Sequence, residues 1–384
     1  LHATSLQKNN YFNNEKMKVA YLLGSLNRGG TETLTLDVFR KAATNGLELI
    51  GIYRKKGGNL EKEFQESGVP VFFLPFKKNI FSYYQQFRKI IQQNNIDILH
   101  AQQPLDALLA WLCMRGTHKK IILTIHGYDF NQSFWSKKML QFILHRTDGN
   151  IFVSESQRKY YQQKYHLKPE KQKTVYNGIS FDKLDTVKTD RTKKSTSSEL
   201  LKLGSVGNFV SGRSQIVICR FLNLLKKENI TFDFVFVGAK SKSEPELFDE
   251  CYHYCEENNL LENVHFLGSR SDVPEILSTL EAFIYSTNHD TFGIAVVEAM
   301  AMGIPVFVND WEVMKEITHD GKFATLYKSR DENDLLKKIL LFLQNRAIAI
   351  CQAREAAAYV RENFSIESHI RQLKQVYETV DNLV

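Results

Sequence analysis

What most restricts the fold of this chain is a rhythm: short apolar runs of strand length alternate with segments of helical period, from Lys18 to about residue 180 and again from about residue 201. Strand, helix and strand in succession pack as a βαβ unit, and a series of such units makes a mainly parallel sheet covered by helices. The first block offers strands at residues 19–23, 49–53, 71–74, 96–101, 121–125, 150–153 and 174–176, with helical stretches such as 33–43, 83–93 and 137–144 among them. The second offers strands at 203–206, 234–237, 264–267, 283–285, 305–308 and 325–327. Between the blocks, FDKLDTVKTDRTKKSTSSEL is polar and rich in Ser and Thr, so residues 181–200 read as a linker. Helical stretches 331–345, 348–363 and 366–382 close the chain, and the last has no strand to feed, so it must pack on something already built.

The sequence therefore predicts an α/β protein of two Rossmann-like domains, residues 17–180 and 201–365. Its 384 residues suffice for two cores. Open parallel sheets bind ligands beyond the carboxyl ends of their strands, so both domains are expected to contribute to one interdomain cleft.

Several function classes are disfavoured. Five scattered cysteines, an odd number, argue against a disulfide framework and for a reducing compartment, hence a cytoplasmic protein. Cys251 and Cys255 bracket His253 near Glu256 and Glu257, but no second ligand pair follows at finger-like spacing, and a solvated amphipathic helix is the preferred reading. No run reaches the ~20 apolar residues a membrane-spanning helix needs, since the best candidate, 291–308, contains Glu298 and Pro305. Residues 1–16 are polar, Asn-rich and without a signal-peptide centre, and read as a disordered tail. Residues 17–180 hold 24 Lys and Arg against 12 Asp and Glu, whereas 181–384 hold 24 against 30. The basic first half fits peripheral contact with an anionic inner membrane face. Nucleic acid is disfavoured because the charge lacks aromatic platforms along one stripe.

Four segments carry chemistry. After the first strand, GSLNRGGTETL places Gly29 and Gly30 just before a helix expected near Thr31 or Glu32, where exposed amides can meet an anion, although an ordinary tight turn explains the glycines equally well. Gly24 and Gly29 have Walker A spacing, but Gly30 stands where that loop needs its lysine. IILTIHGYD ends a buried strand in His126 at the cleft edge, suited to bonding a sugar hydroxyl or a developing charge. In GSVGNFVSGRSQIVICRFL, Arg213 precedes a helix with apolar face Ile216, Ile218, Phe221, Leu222 and Leu225, and its charge suits a leaving diphosphate. In YSTNHDTFGIAVVEAMAMGIPVFVND, Asp290 lies before a helix opened by Thr291, Phe292, Gly293 and Ile294, and Glu298 lies eight positions on. Such acceptors suit the hydroxyls of a sugar and a ribose. Asp272-Val-Pro-Glu275 fits a helix start with an aspartate cap and Glu three later.

RGGTE, TIHGYD, VSES, VYNGIS, NVHFLGSRSDVPEIL and DTFGIAVVEAMAMGIPV, in this order from about residue 18 to the end, resemble the retaining glycosyltransferases of GT-B fold, group 1 or GT4 family. The resemblance implies a nucleotide-sugar donor, UDP favoured, a saccharide or lipid-linked acceptor, no cofactor and no metal. No Asp-x-Asp motif occurs. By this likeness Gly29 and Gly30 approach the donor phosphates and the acceptor side, His126 lies by the transferred sugar, Arg213 holds the diphosphate, and Asp290 and Glu298 contact sugar and ribose. Helix 366–384 would cross back to the first domain. The acceptor would attack from the face the diphosphate leaves, retaining the anomeric configuration. Asp290 is a methylene shorter than the family's usual Glu, Asn208 stands where it usually has Arg, and Arg213 replaces Lys. Those departures motivate a non-catalytic partner subunit as an alternative; a sugar-nucleotide 2-epimerase is another.

Overall fold

The computed structural model describes residues 17–27, 29–76, 79–187 and 200–381. The expected tail 1–16, most of the expected linker, and residues 382–384 lie outside them. The first sheet has β1 (Lys18–Ser25), β2 (Glu48–Lys55), β3 (Val71–Phe73), β4 (Ile98–Ala101), β5 (Lys120–Ile125), β6 (Gly149–Phe152) and β7 (Gln172–Thr174), all parallel, in the order β3-β2-β1-β4-β5-β6-β7. The second has β8 (Leu201–Val206), β9 (Phe232–Val237), β10 (Val264–Phe266), β11 (Ala282–Tyr285), β12 (Val306–Asn309) and β13 (Thr325–Tyr327), in the order β10-β9-β8-β11-β12-β13, again parallel. Both sheets thus reverse their winding once, between β1 and β4 and between β8 and β11, and the two Rossmann-like domains match the fold expected from sequence.

The strands form where the apolar runs lie because both sheet faces are covered. Val19 to Leu23 of β1 and all of β11 are buried. Helices begin where a short polar side chain takes up a free amide: Asn79, Ser133, Ser154 and Asp331 each accept from the backbone three residues on. Asp272 does not. Helix Val273–Thr279 starts after it, but its carboxylate is bound by Arg270, 2.8 and 2.6 Å away, and makes no cap bond. The nearby cation outcompetes the backbone amide.

Helix Ile366–Asp381 returns to the first domain, burying Ile370, Leu373, Val376, Tyr377 and Val380 in the core shared with Tyr21 and Phe39. Tyr377 Oη lies 3.0 Å from Tyr21 Oη and 2.7 Å from His100 Nδ1, anchoring the helix against β1 and β4. Hydrogen bonds between described residues join the lobes at the cleft. Thr291 Oγ1 donates to the His126 carbonyl at 2.8 Å. Glu316 accepts from the Glu155 amide at 2.6 Å and from the Ser156 amide and hydroxyl at 2.9 and 2.5 Å. Among the described residues no helix is long and apolar enough to cross a membrane.

Candidate active site

The two winding reversals determine where the chemistry sits. At each, loops from adjacent strands run to opposite faces and leave a crevice. In the first sheet that crevice is flanked by the Gly29-Gly30 turn after β1 and by Gln102 after β4. In the second it is flanked by Arg213 beyond β8 and Asp290 beyond β11. A Cβ on Gly30 would stand 3.6 Å from Ile294 Cδ1, so the first domain's turn touches the helix opening of the second.

Arg213 Nη1 donates to Asp290 Oδ2 at 2.8 Å, and the guanidinium carbon lies 4.3 Å from the Tyr285 ring centre. Tyr285 Oη also donates to Asp290 Oδ2, while Oδ1 accepts from the Thr291 amide at 2.9 Å. The loop is braced: Thr287 Oγ1 donates to the Gly212 carbonyl at 2.7 Å, the Asp290 amide donates to Thr287 Oγ1, and Trp311 Nε1 donates to the Asp290 carbonyl. Arg213 and Asp290, assigned separate ligands from the sequence, are therefore partners of each other here. Asn208 accepts from the Ala239 amide at 2.8 Å through Oδ1 and ties two loops together.

Helix Ile294–Ala301 opens at Gly293, whose φ of +88° only glycine adopts freely, and a Cβ there would meet Met314 Cε at 2.8 Å. Phe292 is buried among Tyr176 and Phe364 and supports the turn rather than facing the cleft. The helix begins only at Ile294, so Glu298 lies about one turn (~6 Å) into it rather than two turns past Asp290. Burial, reinforced by the Asp37 carboxylate of the first domain and opposed by Lys183, pushes its pKa up to about 7. Among the described residues no protein donor bonds that carboxyl.

Across the cleft, burial and then the charge of His369 bring the pKa of His126 down to about 4, so its imidazole is neutral at physiological pH and acts by hydrogen bonding. Its Nε2 lies 2.8 Å from Gln102 Oε1. Helix Gly30–Ala42 begins one or two residues earlier than expected, with Gly29 as its cap, and the Glu32 side chain folds back so that a Cβ on Gly29 would lie 2.7 Å from Glu32 Oε2. Burial raises the pKa of Glu32, and a bond to its own backbone amide opposes the rise. That helix end already carries a carboxylate, whereas Arg213 brings a cation from the second domain.

The sequence reading missed four groups: Gln102, Tyr285, Glu32 as an internal cap, and Glu316. Gln102 and Tyr285 could have been found by their position at the carboxyl ends of β4 and β11. Glu316 acts through Glu155 and Ser156, 161 and 160 positions away in the chain. Cys251 and Cys255 turn into the core beside Cys219, while His253 pairs with Glu256 on the surface, so that cluster does not assemble as a metal site.

Comparison with known proteins agrees with this architecture. Residues 28–183 match the family described as Glycosyltransferase Family 4, and residues 187–363 match Glycosyl transferases group 1. The chain is 25% identical over 302 residues to the capsular polysaccharide biosynthesis glycosyltransferase CapH of Staphylococcus aureus, covering 74% of this chain and 78% of that one. It is 20% identical over 396 residues to the UDP-Gal:alpha-D-GlcNAc-diphosphoundecaprenol alpha-1,3-galactosyltransferase of Escherichia coli, covering 94% and 97%. Among solved structures, Anabaena HepE in complex with UDP and glucose superposes with a TM-score of 0.79 at 17% identity, over 96% of this chain and all of that one.

Proposed function

From the premise that this chain belongs to the group 1 glycosyltransferases and has the GT-B fold, we propose that it moves a sugar from a UDP-sugar to a saccharide or lipid-linked acceptor, with retention of configuration and without a metal ion, in the synthesis of bacterial surface polysaccharide. The observation that carries this reading is the joint placement of Arg213, Asp290 and the Gly293 helix opening at the second winding reversal, with the Gly30 turn in reach of Ile294. HepE holds UDP and glucose, and the E. coli relative is named for a UDP-sugar and a lipid-diphosphate acceptor, which supports the donor and acceptor classes.

In this scheme the diphosphate lies against Arg213 and the amides of Phe292 and Gly293, which stabilise charge gathering on the leaving oxygen. Glu298 accepts the ribose hydroxyls. Departure of the diphosphate leaves an oxocarbenium-like sugar, the acceptor oxygen bonds to the anomeric carbon on the same face, and the leaving phosphate takes its proton. His126, neutral, bonds the sugar and does not act as a base. Thr291 bonding to His126 and the Glu316 contact keep the cleft closed against water.

Peripheral contact with an anionic membrane fits the starts of helices Ile80–Gln93 and Phe134–Arg146, where Ile80 and Phe81 of the first are exposed and Phe134 and Trp135 of the second are exposed near Lys137 and Lys138 in the same helix. Incubation of the purified protein with UDP-, GDP- and ADP-sugars and lipid-diphosphate saccharides tests the proposal. Transfer with retained anomeric configuration in the presence of a chelator supports it, and neither transfer nor donor hydrolysis with any donor rejects it.

A further inference from the structure

The first sheet's reversal, between β1 and β4, holds a side chain for which the donor scheme has no use. Gln102 follows β4 directly and is only 6% exposed. Its Oε1 meets His126 Nε2, yet its Nε2 is buried without a hydrogen-bond partner among the described residues. An amide N–H that has left water without finding an acceptor is costly to the fold, and such groups in native proteins call for an explanation. Gln102 itself helps line a hollow of about 190 Å³ walled by first-domain residues, among them Thr31, Gln103, Thr124, Gly127 and Gln132. The hollow's lining includes no charged side chain. Neutral amides and hydroxyls suit a neutral polyol rather than a phosphate or a carboxylate. The cation of the site, Arg213, belongs to the other domain.

We infer that Gln102 is a specificity-determining residue of an acceptor-sugar subsite: its carboxamide oxygen holds His126 as the Nε2–H tautomer while its free N–H donates to a hydroxyl of the acceptor saccharide. This rests on the transferase reading given above. Gln102 touches both the sugar and the histidine beside the reacting centre, so it couples acceptor recognition to the orientation of His126. The neutral state of His126 agrees with this, because a neutral imidazole has one donor and one acceptor nitrogen, and the amide oxygen decides which is which.

The test compares wild type with Gln102→Leu and Gln102→Asn. With the donor and acceptor pair found in the panel, Gln102→Leu is expected to raise the acceptor KM about tenfold or more, and by more than it raises the UDP-sugar KM. An acceptor lacking the bonded hydroxyl should lose as much on wild type and nothing further on Gln102→Leu. In ¹⁵N NMR, wild-type His126 should show the Nε2–H tautomer alone and Gln102→Leu a mixture. Gln102→Asn, too short to reach both groups, should recover the tautomer or the acceptor KM but not both. Saturation-transfer NMR with a panel of methyl glycosides gives a readout free of turnover, with binding by wild type and loss in Gln102→Leu. A rise in donor KM with acceptor KM unchanged would overturn the assignment, as would wild-type protein that binds no methyl glycoside. UDP titration of the same samples reports separately on the transferase reading.

Discussion

Arg213 and Asp290 are held to each other, Nη1 to Oδ2 at 2.8 Å, and each is about one-fifth exposed. The cation available to a diphosphate is therefore partly neutralised before any ligand arrives. The Asp290 oxygen that receives Arg213 also receives the Tyr285 hydroxyl. Asp290→Asn keeps the shape of the pair and removes its negative charge. It is expected to tighten UDP binding about two- to tenfold, because Arg213 then faces the phosphates unopposed, and to lower the transfer rate about tenfold or more, because the sugar loses an anionic acceptor. Calorimetric UDP titration and steady-state rates on one preparation check both signs. Weaker UDP binding would mean that the ion pair only positions the loop.

Gly293 allows little substitution. Its φ of +88° disfavours any side chain, and a Cβ would press on Met314 Cε at 2.8 Å. Gly293→Ala should cost about 1–3 kcal/mol of stability, read as a lowered melting temperature, with a further loss of UDP affinity as the helix opening shifts.

Glu298 gives the cleft a pH response. Its ordinary pKa of 4.5 rises to about 7 in the fold. Below pH 4.5 the carboxyl is protonated in both folded and unfolded chains, and the folded state keeps its full relative stability. As pH rises from 4.5 through 7 the unfolded carboxyl ionises first, so stability falls across that window. Glu298→Gln should flatten this slope, matching wild type near pH 4.5 and exceeding it above pH 7 by about 1–3 kcal/mol in denaturant melts. Ribose hydroxyls favour the carboxylate, so UDP binding near pH 6.5 should release protons from wild type and fewer from the variant. His126, already neutral there, should add no inflection between pH 6 and 8.

The exposed pair Phe134 and Trp135 beside Lys137 and Lys138 predicts binding to vesicles containing anionic lipid, weakened by salt. Phe134→Ser with Trp135→Ser should reduce co-sedimentation about tenfold. Equal binding to purely zwitterionic vesicles, or none to either kind, would remove the membrane contact.

Much of this architecture was legible in the sequence. β1, β5 and β11 are buried on both faces, so their apolar runs stood out, and Gly293, Asp290 and Glu298 read together because one loop and one helix carry them. What stayed hidden depends on tertiary neighbours. The spacing of Asp290 and Arg213, 77 positions apart, gives no sign that they pair. Asp272 looked like a helix cap because its competitor Arg270 is a conformational partner rather than a pattern. Gln102 is one amide among many until β4 is placed beside β1.

The central claim is that one nucleotide-sugar spans Arg213 and Glu298, and calorimetric titration with UDP and with uridine tests it most directly. Arg213→Ala should weaken UDP about tenfold or more and leave uridine unchanged, while Glu298→Ala should weaken both. If UDP binds equally well to wild type and to both variants, the nucleotide lies elsewhere and the account is contradicted.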